Sequence, residues 1–320
     1  MSGMGVSNPA VTVAIPAYSP RYISQTVDSV IAQSFQDFEI VVVNDGSPET
    51  EALELALAPY RSRIRYIAQE NAGGAAARNT AVQQARAPLI VNLDHDDLLY
   101  PDHLRTQVEF MLRHPDIDAC YVNLEYFGGS SLDGTCWMDH YPSDGEVSFL
   151  SVMSGRTSPA NPGSIIRRDT LLRVGLYDPQ VDSWDDFDMW LRILHAGGKM
   201  AYQRQPLVRY RVHGDNVSLR HLYYMERAAR VLDKVEARMQ LTSEEAAALA
   251  ARRKRVTFVV ETLRGKEAIG RRDWPQARRH FEYCANESPT LKLRAVLLAL
   301  RWFPWILPAA MGAQNSIRPD

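Results

Sequence analysis

Over the first hundred residues, short apolar runs rich in β-branched side chains alternate with stretches of helical period. The runs fall at 11–15, 39–43, 64–67 and 89–93. Each is too short for a helix and is bounded by polar or turn-forming residues, which predicts buried strands. Between the first two, Ile23, Val27, Val30 and Ile31 share one face of a helix that Pro20 opens, and 75–85 predicts an alanine-rich helix. Strands alternating with helices predict an α/β fold, a parallel sheet covered by helices, in the outline of a nucleotide-binding half. Ligands of such sheets bind beyond the carboxyl ends of the strands, so the residues after each strand are the candidates for chemistry.

From 118 to 213 the regularity weakens. A strand is expected at Ala119–Phe127, then a Gly/Ser turn at 128–131, a polar and aromatic loop, and a helix over 184–195. After Ser218 the composition shifts to Arg, Glu, Ala and Leu, with helical signals through Arg264 and again over 268–285. The second of these looks like a single tetratricopeptide-type unit, and one such unit suits packing better than a partner-binding array. The expected division is therefore a domain at 1–218, with a donor half at 11–113 and an acceptor half at 114–218, followed by a helical extension at 219–320.

The chain has 320 residues, 46% of them hydrophobic, enough to bury a full core and to exclude disorder as the default. A formal net charge of −2 gives no bulk attraction for nucleic acid, so no nucleic-acid partner is expected. The three cysteines, Cys120, Cys136 and Cys284, are far apart and form no CxxC pair, which suggests neither a disulfide framework nor a zinc site and fits a reducing cytoplasm. The N-terminus lacks the charged and apolar regions of a secretory signal, so a cytoplasmic location is expected.

Three polar constellations fall at expected strand or helix ends. Asp94-His95-Asp96-Asp97 follows an apolar strand. Carboxylates there are hard-oxygen ligands for Mg2+ or Mn2+, although an acidic turn before Pro101 has the same composition. Pro16-Ala17-Tyr18 follows the first strand and Asn44-Asp45-Gly46-Ser47 the second, while Arg78 lies in the opening turns of the alanine-rich helix. Asp45 can accept from a nucleobase N–H, Tyr18 can pack on a ring, and Arg78 can meet a diphosphate. Third, Ser183-Trp184-Asp185-Asp186 opens a helix. Paired acids can raise one pKa and create a general base, and acids in a first turn also cap a helix without further role. His213 ends a strand-like stretch and is open to metal ligation or to diphosphate.

In order along the chain, VTVAIPAYSP, FEIVVVNDGSPE, ENAGGAAARNTAVQQARAPLIVNLDHDDLLYP, and WDDFDMWLRI followed by YRVHGDNVS resemble the successive signatures of the family 2 glycosyltransferases of GT-A fold, over 11–218. The resemblance implies a metal-dependent, inverting transfer from a nucleotide-sugar, often a UDP-sugar, to a glycan or lipid-linked acceptor in cell-surface polysaccharide or glycolipid synthesis. It implies that Pro16, Ala17, Tyr18 and Asp45 hold the nucleoside and that Arg78 lies near base or phosphate. Asp94 then faces ribose or metal, Asp96 binds a divalent cation, Mn2+ or Mg2+, and Asp186 is the catalytic base. Trp184 and Asp185 lie on the acceptor side, and His213 is a further metal ligand. The chain has Asp185 where Glu is usual, and His95, where a small residue is common, is a donor contact.

A sugar nucleotidyltransferase or a dinucleotide oxidoreductase would need a glycine-rich loop after the first strand, and Pro16-Ala17-Tyr18-Ser19-Pro20 contains no glycine. A non-catalytic nucleotide-sugar-binding scaffold with a partner-binding helical C-terminus is the alternative from another class. The apolar, aromatic segment near the C-terminus is interrupted by Arg301, Pro304 and Pro308 and does not read as a span. With Trp302, Phe303 and Trp305 beside Lys292, Arg294 and Arg301, the stretch 293–311 predicts either core packing or peripheral contact with a membrane, here the inner face of the plasma membrane.

Overall fold

A computed structural model describes residues 8–181 and 183–307, with the backbone alone at Ser218. The chain divides into two compact units, Met1–His213 and Gly214–Asp320.

The first unit begins with β1 (Val11–Ala17), α1 (Ile23–Ile31), β2 (Phe38–Asp45), α2 (Thr50–Leu57), β3 (Ile64–Gln69), α3 (Gly74–Gln84) and β4 (Leu89–Asn92). It continues through β5 (Leu98–Leu99), α4 (His103–Arg113), β6 (Ala119–Phe127), α5 (Trp137–His140), α6 (Phe149–Ser154), β7 (Ile165–Arg167), α7 (Arg168–Arg173), α8 (Asp185–His195) and β8 (Met200–Arg211). Among the described residues, eight strands form one sheet in the order β3-β2-β1-β4-β7-β6-β8-β5. β1 to β4 are mutually parallel, β7 is antiparallel to both β4 and β6, and β8 is parallel to β6. The carboxyl ends of β1, β2, β4, β6 and β8 therefore share one edge, from which the 16–18, 44–47 and 94–97 segments and His213 leave, whereas 183–186 follows α7.

β1 and β4 are buried along their whole length, as expected of strands covered on both faces. Their apolar side chains join Ile23, Val27 and Val30 of α1 and Leu104 and Val108 of α4 in one core. Pro20 does not open α1 directly, because a turn at Arg21 and Tyr22 intervenes.

The second unit contains α9 (His221–Arg238), α10 (Ser243–Gly270), α11 (Trp274–Glu287) and α12 (Leu291–Trp302). The expected pause after Arg264 does not occur. Gly265 instead lets the Phe281 ring approach so closely that a Cβ would lie 2.8 Å from it. The break comes at Arg271–Asp273, where Arg272 has φ 59° and Asp273 caps α11 by accepting from Gln276 N–H.

Candidate active site

Arg78 sits one turn into α3, and its guanidinium donates to Asp94 Oδ1 at the end of β4 and to Asp185 Oδ2 at the start of α8, both at 2.8 Å. The loop after β4 and the start of α8 are thus joined by one cation between two carboxylates. Burial disfavours the charge on Arg78, but Asp185 and Asp94 more than offset it and keep the group firmly protonated. Burial pushes Asp185 up in spite of Arg78.

Asp186 is partly buried beside this bridge and accepts from Phe187 N–H at 2.7 Å. Burial, then the neighbouring Asp185 charge, raises its pKa to about 7, against which Arg78 pulls down. A carboxylate held there can accept a proton from a hydroxyl near neutral pH. Trp184 precedes the helix as its N-cap residue and packs edge-on against Phe187, with centroids 5.1 Å apart. Tyr177 is fully buried against the Arg78 side. Asn79 fixes it by donating from Nδ2 to Tyr177 O at 2.7 Å and accepting from Tyr177 N–H at 2.9 Å, and the Tyr177 hydroxyl donates to Asn161.

Asp96 and His213 form a second centre, with His213 Nε2 2.8 Å from Asp96 Oδ2. Arg211 braces the loop from beneath. Its backbone N–H donates to Asp97 Oδ1, its Nε to Asp96 O and its Nη2 to Gln25, each at 2.8 Å. Burial, then Asp96 and Asp94, pushes Asp97 well above the usual carboxylate range, so this third acid anchors β8 and does not face the cleft. Among the described residues no group of three or more His, Cys, Asp or Glu side chains converges on one point. A carboxylate oxygen with an imidazole nitrogen fits a divalent cation that takes its other ligands from water and substrate phosphate.

Pro16 and Ala17 are buried at the end of β1, and Tyr18 follows them 46% exposed. Asp45 is engaged with the loop before α3, accepting from Gln69 Nε2 at 2.8 Å, Ala72 N–H at 3.0 Å and Gly73 N–H at 2.8 Å. That loop crosses close to Gly46, whose φ is +63° and whose Cβ, if it had one, would lie 2.6 Å from Asn71 N. The His95 carbonyl accepts from Thr26 Oγ1 at 2.9 Å and ties the acidic loop to α1.

Residues 12–168 match the family model described as glycosyl transferase family 2. Over this segment, just under half of its length, the chain is similar to glycosyl transferase family 2. Among relatives of this chain, an uncharacterised glycosyltransferase of Rickettsia prowazekii is 26% identical over 212 residues, covering 65% of this chain and 65% of its own. Another from Rickettsia felis is 26% identical over 217 residues, and the match spans only 35% of that relative's length. A chondroitin synthase of Pasteurella multocida is 28% identical over 228 residues, 67% of this chain and 22% of the synthase. The fold is that of GT-A glycosyltransferases. The structure of S. aureus TarS 1-349 in complex with UDP-GlcNAc aligns with TM-score 0.63 and 17% identity over 91% of this chain and 87% of that one. A mannosyltransferase from Pyrobaculum calidifontis, in complex with GDP-Man and Mn2+, aligns with TM-score 0.61 and 18% identity over 96% and 85%.

The structure of the first unit thus joins Arg78, Asp94, Asp185 and Asp186 into one cluster and Asp96 with His213 into another. Tyr177 and Asn161 go unmarked in the sequence, and Arg211 stands out only as part of YRVHGDNVS. The only local hint is Asn79, directly after Arg78.

Proposed function

We propose that this chain transfers a sugar from a nucleotide-diphosphate sugar, a UDP-sugar in the first instance, to an acceptor hydroxyl with inversion at the anomeric carbon, in polysaccharide or glycolipid synthesis. The observation that carries the reading is Asp186, a carboxylate held near neutrality at the mouth of α8 and linked through Asp185 and Arg78 to Asp94. Asp186 takes the proton of the acceptor hydroxyl as its oxygen forms the new bond to the anomeric carbon. The bond from that carbon to the diphosphate breaks on the opposite face, and the nucleoside diphosphate leaves with the electron pair. Pro16, Ala17, Tyr18 and Asp45 line the nucleoside end, with Arg78, Asp94 and His95 toward ribose and phosphate.

Asp96 and His213 are the residues that would hold Mn2+ or Mg2+. When bound, the ion offsets charge on the leaving diphosphate. Support for a nucleotide-sugar comes from the UDP-GlcNAc and GDP-Man complexes of the two structural neighbours, and support for a glycan product from the chondroitin synthase relatives. The catalytic domain in this reading is 1–218. The site is cytoplasmic, at the inner face of the plasma membrane; among the described residues no helix is long and apolar enough to cross a membrane.

The test is a panel of UDP-, GDP- and dTDP-sugars with Mn2+ or Mg2+, scored by release of nucleoside diphosphate. Release from one donor, lost in Asp96→Ala and with chelator, is the expected result. Donor binding with no release of nucleoside diphosphate from any donor, with acceptor glycan present, would overturn the reading in favour of the nucleotide-sugar-binding scaffold.

A further inference from the structure

We propose that the outer face of α12, with the turn that follows it, docks on an anionic lipid surface. A helix that closes a small bundle needs one apolar stripe, and α12 has two. Leu293 and Leu300 are buried, and Val296, Leu297 and Ala299 pack beside them against Ala268, Ile269, Phe281 and Cys284 of α10 and α11. On another side, Leu291, Ala295, Leu298 and Trp302 recur at spacings of four, three and four, which places them in one line along the helix, and all are exposed. Leu298 is 61% and Trp302 60% exposed, and Phe303, Trp305 and Ile306 extend the exposed surface past the end of the helix.

Charge decides what covers this stripe. From Ser288 to Pro319 the sequence has no Asp or Glu, while Lys292, Arg294 and Arg301 flank the stripe and are exposed. The Arg301 guanidinium lies 5.1 Å from the Trp302 ring centroid, so cation and indole present one surface. A second copy packed isologously would bring these cations against their own equivalents, which disfavours a dimer. An anionic bilayer surface meets both features: indole rings sit at headgroup level, leucines reach the acyl boundary, and basic side chains meet the lipid phosphates. The inference is independent of the reaction proposed above, because every residue in it lies in the second unit.

The experiment is co-sedimentation of the full chain with vesicles of phosphatidylcholine alone or mixed with phosphatidylglycerol, alongside tryptophan emission. The wild type is expected to sediment with the anionic vesicles, to stay in solution with the neutral ones, and to be released by high salt. Arg294→Gln with Arg301→Gln is expected to weaken binding about thirtyfold, from about 1 kcal/mol per basic residue at an anionic surface. Trp302→Ser with Trp305→Ser is expected to abolish the blue shift of emission, with circular dichroism unchanged. Wild type remaining in the supernatant with anionic vesicles, or the Arg variant binding like wild type, would overturn the proposal. So would a concentration-dependent dimer that the Trp variant dissociates, since the occupant would then be a second copy.

Discussion

Replacing Asp186 by Asn keeps the shape of the first turn of α8, because an amide oxygen still accepts from Phe187 N–H. What is lost is the ability to take a proton. A positioned general base contributes roughly 10²–10⁴ in rate, so kcat should fall by at least about a hundredfold while donor binding holds. The pH profile should change as well. With the wild-type base titrating at about 7, the rate should fall on the acid side and at pH 6 reach roughly a tenth of its plateau, whereas the variant should be flat.

Stability gives an independent check on the same group. An aspartate ordinarily near 3.8 is held at about 7 here, so between those values the folded state keeps a proton that the unfolded state has released. Wild-type stability therefore falls as pH rises across that window, by a ceiling on the order of 4 kcal/mol at about 1.4 kcal/mol per pH unit. Screening at a group that reaches water lowers this to roughly 2 kcal/mol. Asn has no such proton, so the variant should gain on wild type between pH 5 and pH 8 in urea unfolding. The assay is nucleoside diphosphate release from the donor chosen by the panel. A variant that keeps more than half the wild-type rate, or shows the same acid limb, would refute the role given to Asp186.

Arg78→Gln should cost about 3 kcal/mol in urea unfolding, because buried Asp185 and partly buried Asp94 lose their common partner, and should move the acid limb of the rate profile to higher pH. His213→Ala should weaken Mn2+ binding by about tenfold or more in titration calorimetry with nucleoside diphosphate present, while the melting temperature stays within a few degrees. Gly46→Val should destabilise by about 2 kcal/mol or more and weaken donor binding, since φ +63° is poor for a branched residue and its Cβ meets the Asn71 backbone. In the second unit, Gly265→Leu should force Phe281 aside at about 1–3 kcal/mol and leave donor binding unchanged.

The long parallel strands were legible because each carries a run of largely apolar, β-branched or aromatic residues. β6 runs over Ala119–Phe127, the span that its pattern predicts, and β1 and β2 extend the expected runs by only one or two residues at an end. β5 and β7 have two and three residues, too few for any period to register. β8 was mostly hidden because its first half is half exposed and carries Gln203, Arg204 and Gln205. The acids of the site stood out by their clustering, but their partners did not. Asp97 looks like its neighbours in the sequence, and only its burial under Arg211 separates it from them. Arg78 is pointed toward a phosphate by its residue type alone, and what it holds is two carboxylates 16 and 107 positions away. Tyr177 follows Leu176 at φ 63°, a turn that no local pattern announces.

The pairing of β5 with β8 constrains the order in which the chain can mature. Directly after the acidic loop, Leu98 and Leu99 cross to the far edge of the sheet and meet Arg209 and Val208. The bonds that set that loop, Arg211 to Asp97 and His213 to Asp96, close over 114 and 117 residues. During synthesis the acids emerge long before the strand that arrests them, and contacts of such high sequence separation form late. The end built from β1, β2 and α3 can consolidate while the end holding Asp96 and His213 is still loose. On the proposed function, a nascent chain stalled before β8 would then recognise a nucleotide without being able to act on it.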